Sequence, residues 1–187
     1  MINCNLLSDY VLKKYHISLN ILKQIVIESR MTDEQILNWH IPAIPSGGGS
    51  TQPELIFRYA NEEKDTMSDV LSRNQAWELQ QMLGDNWRSN ALDLRNKTYI
   101  AVYRASLFPI IPGSYVTESR NYALFHREYV NAPEYRIYSL TVPLVSLIWM
   151  GDPHEFIYAP TLEEWKSVAI QRVAKFPTRL QNDVLKC

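Results

Sequence analysis

Cysteine, glycine and net charge are all scarce in this 187-residue chain. The two cysteines, Cys4 and Cys187, stand at its opposite ends. Two residues so placed do not make a disulfide framework. Without a Cys-x-x-Cys pair or a Cys/His cluster they also exclude a zinc site of ordinary spacing. Such cysteine usage suits a reducing cytosol. The net charge of −1 excludes a protein that binds polyanions with its whole surface, although a local basic face is still allowed. Three of the six glycines fall in one run, Ser46-Gly47-Gly48-Gly49-Ser50-Thr51, which reads as a flexible linker. A phosphate-cradling loop would need a lysine after its glycines, and none follows. Long apolar runs are absent too. The longest, residues 140–150, is interrupted by Thr141, Pro143 and Ser146 and is too short to span a bilayer. The N-terminus lacks the charged, apolar and small-residue order of a secretion signal. The expectation is a cytoplasmic protein with no membrane contact. No nucleophile elbow surrounds any serine. Asp152, His154 and Glu155 are adjacent with no distant partner, so no metal is expected.

What the chain does contain is ordinary globular material, 46% hydrophobic and 21% charged, and long enough for one domain with a substantial core. Residues 6–30 carry Leu7, Val11, Ile17, Ile21, Leu22 and Ile25 at helical spacing. A second helix is expected over 31–40, with Thr32 or Asp33 as its N-cap and Pro42 and Pro45 beyond it. Residues 54–60 have a strand-like centre, and 68–83 predict a helix stopped by Gly84. Residues 85–97 read as polar and as including a connector. From Thr98 the period changes to two: Ile100, Val102 and Arg104 share one face, and Tyr99, Ala101 and Tyr103 the other. Tyr115, Thr117 and Ser119 alternate on a short strand, and a helix follows over 120–130. Residues 136–142 alternate again. The short apolar runs at 147–150 and 156–158 flank the turn Gly151-Asp152-Pro153. Thr161 and Glu164 have capping-box spacing at the start of a last helix, which Pro177 ends. The fold class is therefore α+β. A helical part (1–97) is expected to pack on a strand-rich core (98–160), with a C-terminal helix and tail (161–187), as one domain.

Four pieces of the strand-rich half occur in a specific order: Val102-Tyr103-Arg104-Ala105, then Pro112-Gly113-Ser114-Tyr115-Val116-Thr117-Glu118-Ser119-Arg120-Asn121-Tyr122-Ala123, then Leu140-Thr141-Val142-Pro143, then Trp149-Met150-Gly151-Asp152-Pro153-His154-Glu155-Phe156-Ile157-Tyr158. The series resembles the ADP-ribosyltransferase fold of phage head-associated proteins and bacterial toxin modules. Those domains share an arginine strand, a V-T-x-S-x-x-Y-A strand-to-helix turn and a late D-x-x-E-[FWY]-x-Y element. The resemblance does not reach the helical first half. It implies a split β-sheet core, NAD as substrate, and mono-ADP-ribosyl transfer to a macromolecular acceptor, either a protein side chain or a nucleobase in RNA or DNA. It implies a toxin or phage-conflict effector, with an antitoxin or immunity protein as a partner. Its Arg–Ser–Glu arrangement falls on Arg104, on Thr117 and Ser119, and on Glu155, with Tyr122 placed against the nicotinamide.

The residue chemistry suits these roles and also suits plainer ones. Arg104 ends a strand on an apolar face, where a guanidinium needs an oxygen-rich partner; a pyrophosphate or ribose would serve, and so would Glu118 or Glu155. Ser119 stands where the next helix needs its N-cap. Tyr122 fits core packing as well as a cofactor contact. Glu155 is the candidate catalytic residue, because breaking the nicotinamide–ribose bond leaves an oxocarbenium-like sugar that a carboxylate stabilises. His126 and His154 are further candidates, though neighbours on a strand face opposite ways, so His154 and Glu155 are not expected to enter the site together. Position 153 is proline, where the arginine-modifying members of the family carry the first Glu of Glu-x-Glu. This argues against arginine as acceptor. It also keeps open a catalytically inactive binding module of the same fold. A separate alternative is an RNA-binding protein that stacks bases on Tyr129, Tyr135 and Tyr138 beside Arg127 and Arg136.

Overall fold

A computed structural model describes residues 2–37 and 65–187. In chain order these form α1 (Cys4–Tyr15), α2 (Leu19–Glu28), α3 (Asp33–Leu37), α4 (Met67–Arg73), α5 (Ala76–Leu83), α6 (Trp87–Arg95), β1 (Tyr99–Ser106), β2 (Tyr115–Val116), α7 (Arg120–Tyr129), β3 (Arg136–Pro143), β4 (Leu147–Trp149), β5 (Phe156–Tyr158), α8 (Leu162–Val173) and α9 (Thr178–Val184). The class is α+β, as the periodicities predict. The glycine run, the strand-like 54–60 and the end of the second expected helix lie outside the described residues.

The helix boundaries follow local capping chemistry that periodicity does not register. The expected helix over 6–30 is two helices, because His16 adopts the left-handed conformation (φ 56°) and the Ser18 side chain caps α2 by accepting from the Ile21 N–H at 3.2 Å. The expected helix over 68–83 breaks in the same way. Asn74, also left-handed at φ 56°, ends α4, whose start carries a reciprocal capping box between Thr66 and Asp69. The polar stretch after Gly84 is not a connector but α6, which buries only Ala91 and Leu94.

The described residues divide into two compact units. One combines 2–37 with 162–187; the other runs from 65 to 161. This division differs from the sequence-based boundaries at 97 and 160. In the first unit Val11, Leu22 and Val26 of α1 and α2 close on Leu180 and Val184 of α9, so the core joins the two ends of the chain. A disulfide links Cys4 to Cys187 across a Cα separation of 5.6 Å, contrary to the expectation from cysteine count. Two cysteines far apart in sequence are brought together by the packing of α1 and α9, which spacing alone does not reveal. Among the described residues, no helix is long and apolar enough to cross a membrane.

The second unit holds the five strands found among the described residues. β1 and β3 pair antiparallel along eight residues, from Tyr99 opposite Pro143 to Ser106 opposite Arg136. β5 pairs antiparallel with both β2 and β4, giving the order β2-β5-β4. The two sheets meet at one residue pair, Tyr103 and Thr117, whose N–H groups each donate to the other's carbonyl at 2.8 and 2.9 Å. The apolar residues of β4 and β5, Leu147, Ile148, Phe156, Ile157 and Tyr158, are buried on both faces. Such burial explains why these strands are continuous apolar runs and not alternating ones.

Candidate active site

A cleft of about 500 Å³ opens where the two sheets meet. It takes Tyr103, Arg104 and Ala105 from β1, Tyr115, Val116 and Thr117 from β2 and the residue after it, Tyr122, Ala123 and His126 from α7, and Met150, Asp152 and Glu155 from the turn between β4 and β5. Of the residues singled out in the sequence, Arg104, Thr117, Tyr122, His126 and Glu155 therefore line one cavity, from four separate pieces of chain.

Each arrives there for a local reason. The alternation of β1 turns Arg104 inward with Ile100 and Val102, and only 6% of the residue remains exposed. Burial in this apolar setting lowers its pKa to about 10. Even so lowered, the group stays cationic at neutral pH. The Thr117 hydroxyl accepts the Ser119 N–H at 3.1 Å and so shapes the turn out of β2. Ser119 does not line the cleft. It is the N-cap of α7, its hydroxyl accepting from the Tyr122 N–H at 3.2 Å. Capped there, α7 places Tyr122 and His126 one turn apart on its cleft-facing side.

The Tyr122 hydroxyl donates to Glu155 Oε1 at 3.0 Å. Burial first, and then this hydrogen bond, push the Tyr122 pKa up to about 12, so the phenol keeps its proton and goes on donating it to the carboxylate as a hydrogen bond. Glu155 stands one residue before β5, after a turn with Gly151 at φ 94° and His154 at φ 61°. The Trp149 indole N–H donates to the Asp152 carbonyl at 3.0 Å and closes that turn. His154 does not line the cleft; it stands in a turn before β5, so strand alternation does not decide its direction. Its Nδ1 meets Glu118 Oε1, and its ring lies 5.6 Å from the Tyr122 ring. The Glu118 carboxylate holds the His154 pKa above its ordinary value against the opposing effect of burial.

Sequence reasoning gave Met150 no role, named Glu118 only as an ion-pair partner for Arg104, and weighed Asp152 only as a metal ligand. Glu118 meets His154, and Glu155 accepts from Tyr122. The Glu118 carboxylate also accepts from the Thr117 hydroxyl at 3.4 Å, and strand alternation does not foretell its contacts because β2 ends at Val116. The stacking surface imagined for RNA loses a member, since Tyr135 is buried at 9% exposure and packs with Ala105 and Ala132. Among the described residues no group of three or more His, Cys, Asp or Glu side chains is arranged to hold a metal ion.

Chemically, the cavity joins a buried cation to a carboxylate steered by a phenol. Such an arrangement suits a substrate with an anionic or oxygen-rich end and a reacting centre that develops positive charge. No protein-family model, curated protein or solved structure matches the chain.

Proposed function

We propose that this protein is an NAD-dependent mono-ADP-ribosyltransferase of the toxin or phage-conflict type, built on a split β-sheet of the ADP-ribosyltransferase kind. One observation carries the reading: Arg104, Thr117, Tyr122 and Glu155, named from three motifs, line a single cleft in which Tyr122 donates to Glu155. The cleft's volume lies in the range of small-molecule sites. Its residues also fit the two ends of NAD. Arg104 supplies a planar fork, cationic at neutral pH, for the pyrophosphate or the adjoining ribose. Glu155 supplies the carboxylate for the nicotinamide ribose.

In this mechanism the bond between C1′ of the ribose and the nicotinamide nitrogen breaks. Its electron pair goes to the nicotinamide, which leaves neutral. Glu155 stabilises the oxocarbenium-like sugar by charge and by orienting the ribose hydroxyls. Tyr122 holds one carboxylate oxygen, which fixes the direction of the other. A nucleophile of the acceptor then bonds to C1′ and releases its proton. The proline at position 153 leaves no carboxylate two residues before Glu155, so a protein side chain other than arginine, or a nucleobase, is the acceptor class.

The test is incubation of cell extract with NAD labelled in its adenosine part, followed by nuclease or protease treatment of the labelled product. The wild-type protein is expected to transfer label to a macromolecule, and Glu155→Gln to lose transfer by at least on the order of 10²-fold while melting like wild type. Undiminished transfer by Glu155→Gln rejects this site. Binding of NAD without nicotinamide release would instead identify a binding module of the same architecture.

A further inference from the structure

Behind the cleft, two turns that are distant in sequence are joined by one pair of side chains. Glu118 lies in the turn from β2 into α7, between Thr117 and the cap residue Ser119. His154 lies in the turn between β4 and β5, immediately before Glu155. His154 Nδ1 and Glu118 Oε1 are in direct hydrogen-bond contact, with side-chain exposures of 24% and 11%.

We propose that Glu118 and His154 form a positioning pair that clamps the β4–β5 turn onto the β2–α7 turn and so holds the Glu155 carboxylate against Tyr122. This rests on the reading of Glu155 as the catalytic residue. Four observations support it. His154 occupies the left-handed region at φ 61°, uncommon for a non-glycine residue, and so is held by its surroundings. Its backbone N–H donates to the Met82 carbonyl at 2.9 Å, which fastens the turn to the end of α5. Its ring lies so close to Gly84 that a Cβ on that residue would stand 2.7 Å from Nε2, and Gly84 is itself at φ 68°. Its other side meets the Tyr122 ring, whose hydroxyl carries Glu155. Nδ1 is thus taken by Glu118 and Nε2 faces Gly84, so His154 acts through its neighbour and not on substrate.

The titratable and charged groups around His154 among the described residues are few. Glu118 faces it from the β2–α7 turn and Tyr122 from α7, while Asp152 and Glu155 belong to its own turn. The end of α5 presents the uncharged Met82 and Gly84. Glu118 raises the His154 pKa, so the charged pair exists at low pH and is lost as pH rises through that raised value. The clamp therefore weakens on the alkaline side.

The experiment compares wild type, Glu118→Gln and His154→Gln in nicotinamide release from NAD across pH 5 to 9, with a thermal melt of each to establish folding. Wild type is expected to show an alkaline limb in kcat above the ordinary histidine range, with KM for NAD nearly flat. Glu118→Gln moves that limb to lower pH. His154→Gln loses it and lowers kcat at acid pH on the order of 10-fold to 10²-fold. Folded variants with kcat values and limbs equal to those of wild type overturn the clamp. A second readout needs no NAD. With ¹³Cζ-labelled tyrosine, the Tyr122 resonance should follow the His154 imidazole titration in wild type and lose that response in His154→Gln. A Tyr122 signal that ignores the His154 titration overturns the clamp on its own. Retained transfer by Glu155→Gln instead overturns the functional reading, and the resonance titration still decides whether the pair couples to Tyr122.

Discussion

Arg104 sits in an apolar strand face with 6% of its surface exposed, and burial alone lowers its pKa to about 10. A cation kept in that setting and opened to a cleft is suited to an anionic substrate, because the pairing it offers is little screened. Its planar fork matters beyond the charge. Arg104→Lys keeps the charge and loses the bidentate geometry. The expected result is a KM for NAD raised roughly 10-fold to 10²-fold, equivalent to the 1.5–3 kcal/mol of a charged hydrogen bond, with kcat less affected. Titration of NAD into both proteins checks this, and equal KM values would remove Arg104 from the binding site. Arg104, Thr117, Tyr122 and Glu155 could be named from the sequence because each sits within an ordered series of short motifs, and His126 because its helix can aim it inward. The role of Glu118 could not be, since it depends on His154 from a turn 36 residues away, a contact that no local pattern encodes.

The same limit appears at the scale of elements. Periodicity found most strand positions: β5 is the expected run and β3 extends the expected one by a residue, but β2 stops at Val116, short of the alternation expected through Thr117 and Ser119. It merged α1 with α2 and α4 with α5, because a helical apolar stripe continues in register across a single left-handed residue such as His16 or Asn74. It missed α6, whose amphipathicity rests on few apolar residues, and α9, which starts directly after the Pro177 expected to end the helical structure. The Ser119 cap was read correctly, and it is the element on which the cleft geometry depends. Ser119→Ala removes the acceptor for the Tyr122 N–H. The expected loss is about 1 kcal/mol, or roughly 2–4 °C in the thermal midpoint for a chain of this size. Calorimetry checks the midpoint. A Ser119→Ala protein that melts with wild type would show that α7 starts without its cap.

At the scale of the whole chain, the unit built from 2–37 and 162–187 depends on joining two distant segments, and the Cys4–Cys187 bond spans a sequence separation of 183. Closing so long a loop constrains the unfolded chain strongly, and stabilisation of about 3–5 kcal/mol is expected. Cys4→Ser with Cys187→Ser should therefore shift the denaturant midpoint of this unit down, and wild type under strong reductant should match it. Coincident unfolding curves with and without reductant would contradict the role assigned to the bond. The central claim concerns the other unit, whose cleft is read as a site for cleaving NAD. Its most direct measurement is nicotinamide release from NAD by the purified wild-type protein beside Glu155→Gln, each shown to be folded by its melting curve. The account predicts release by wild type and a fall of at least on the order of 10²-fold in Glu155→Gln. Equal release by the two proteins, or none from folded wild type with its acceptor present, would contradict it.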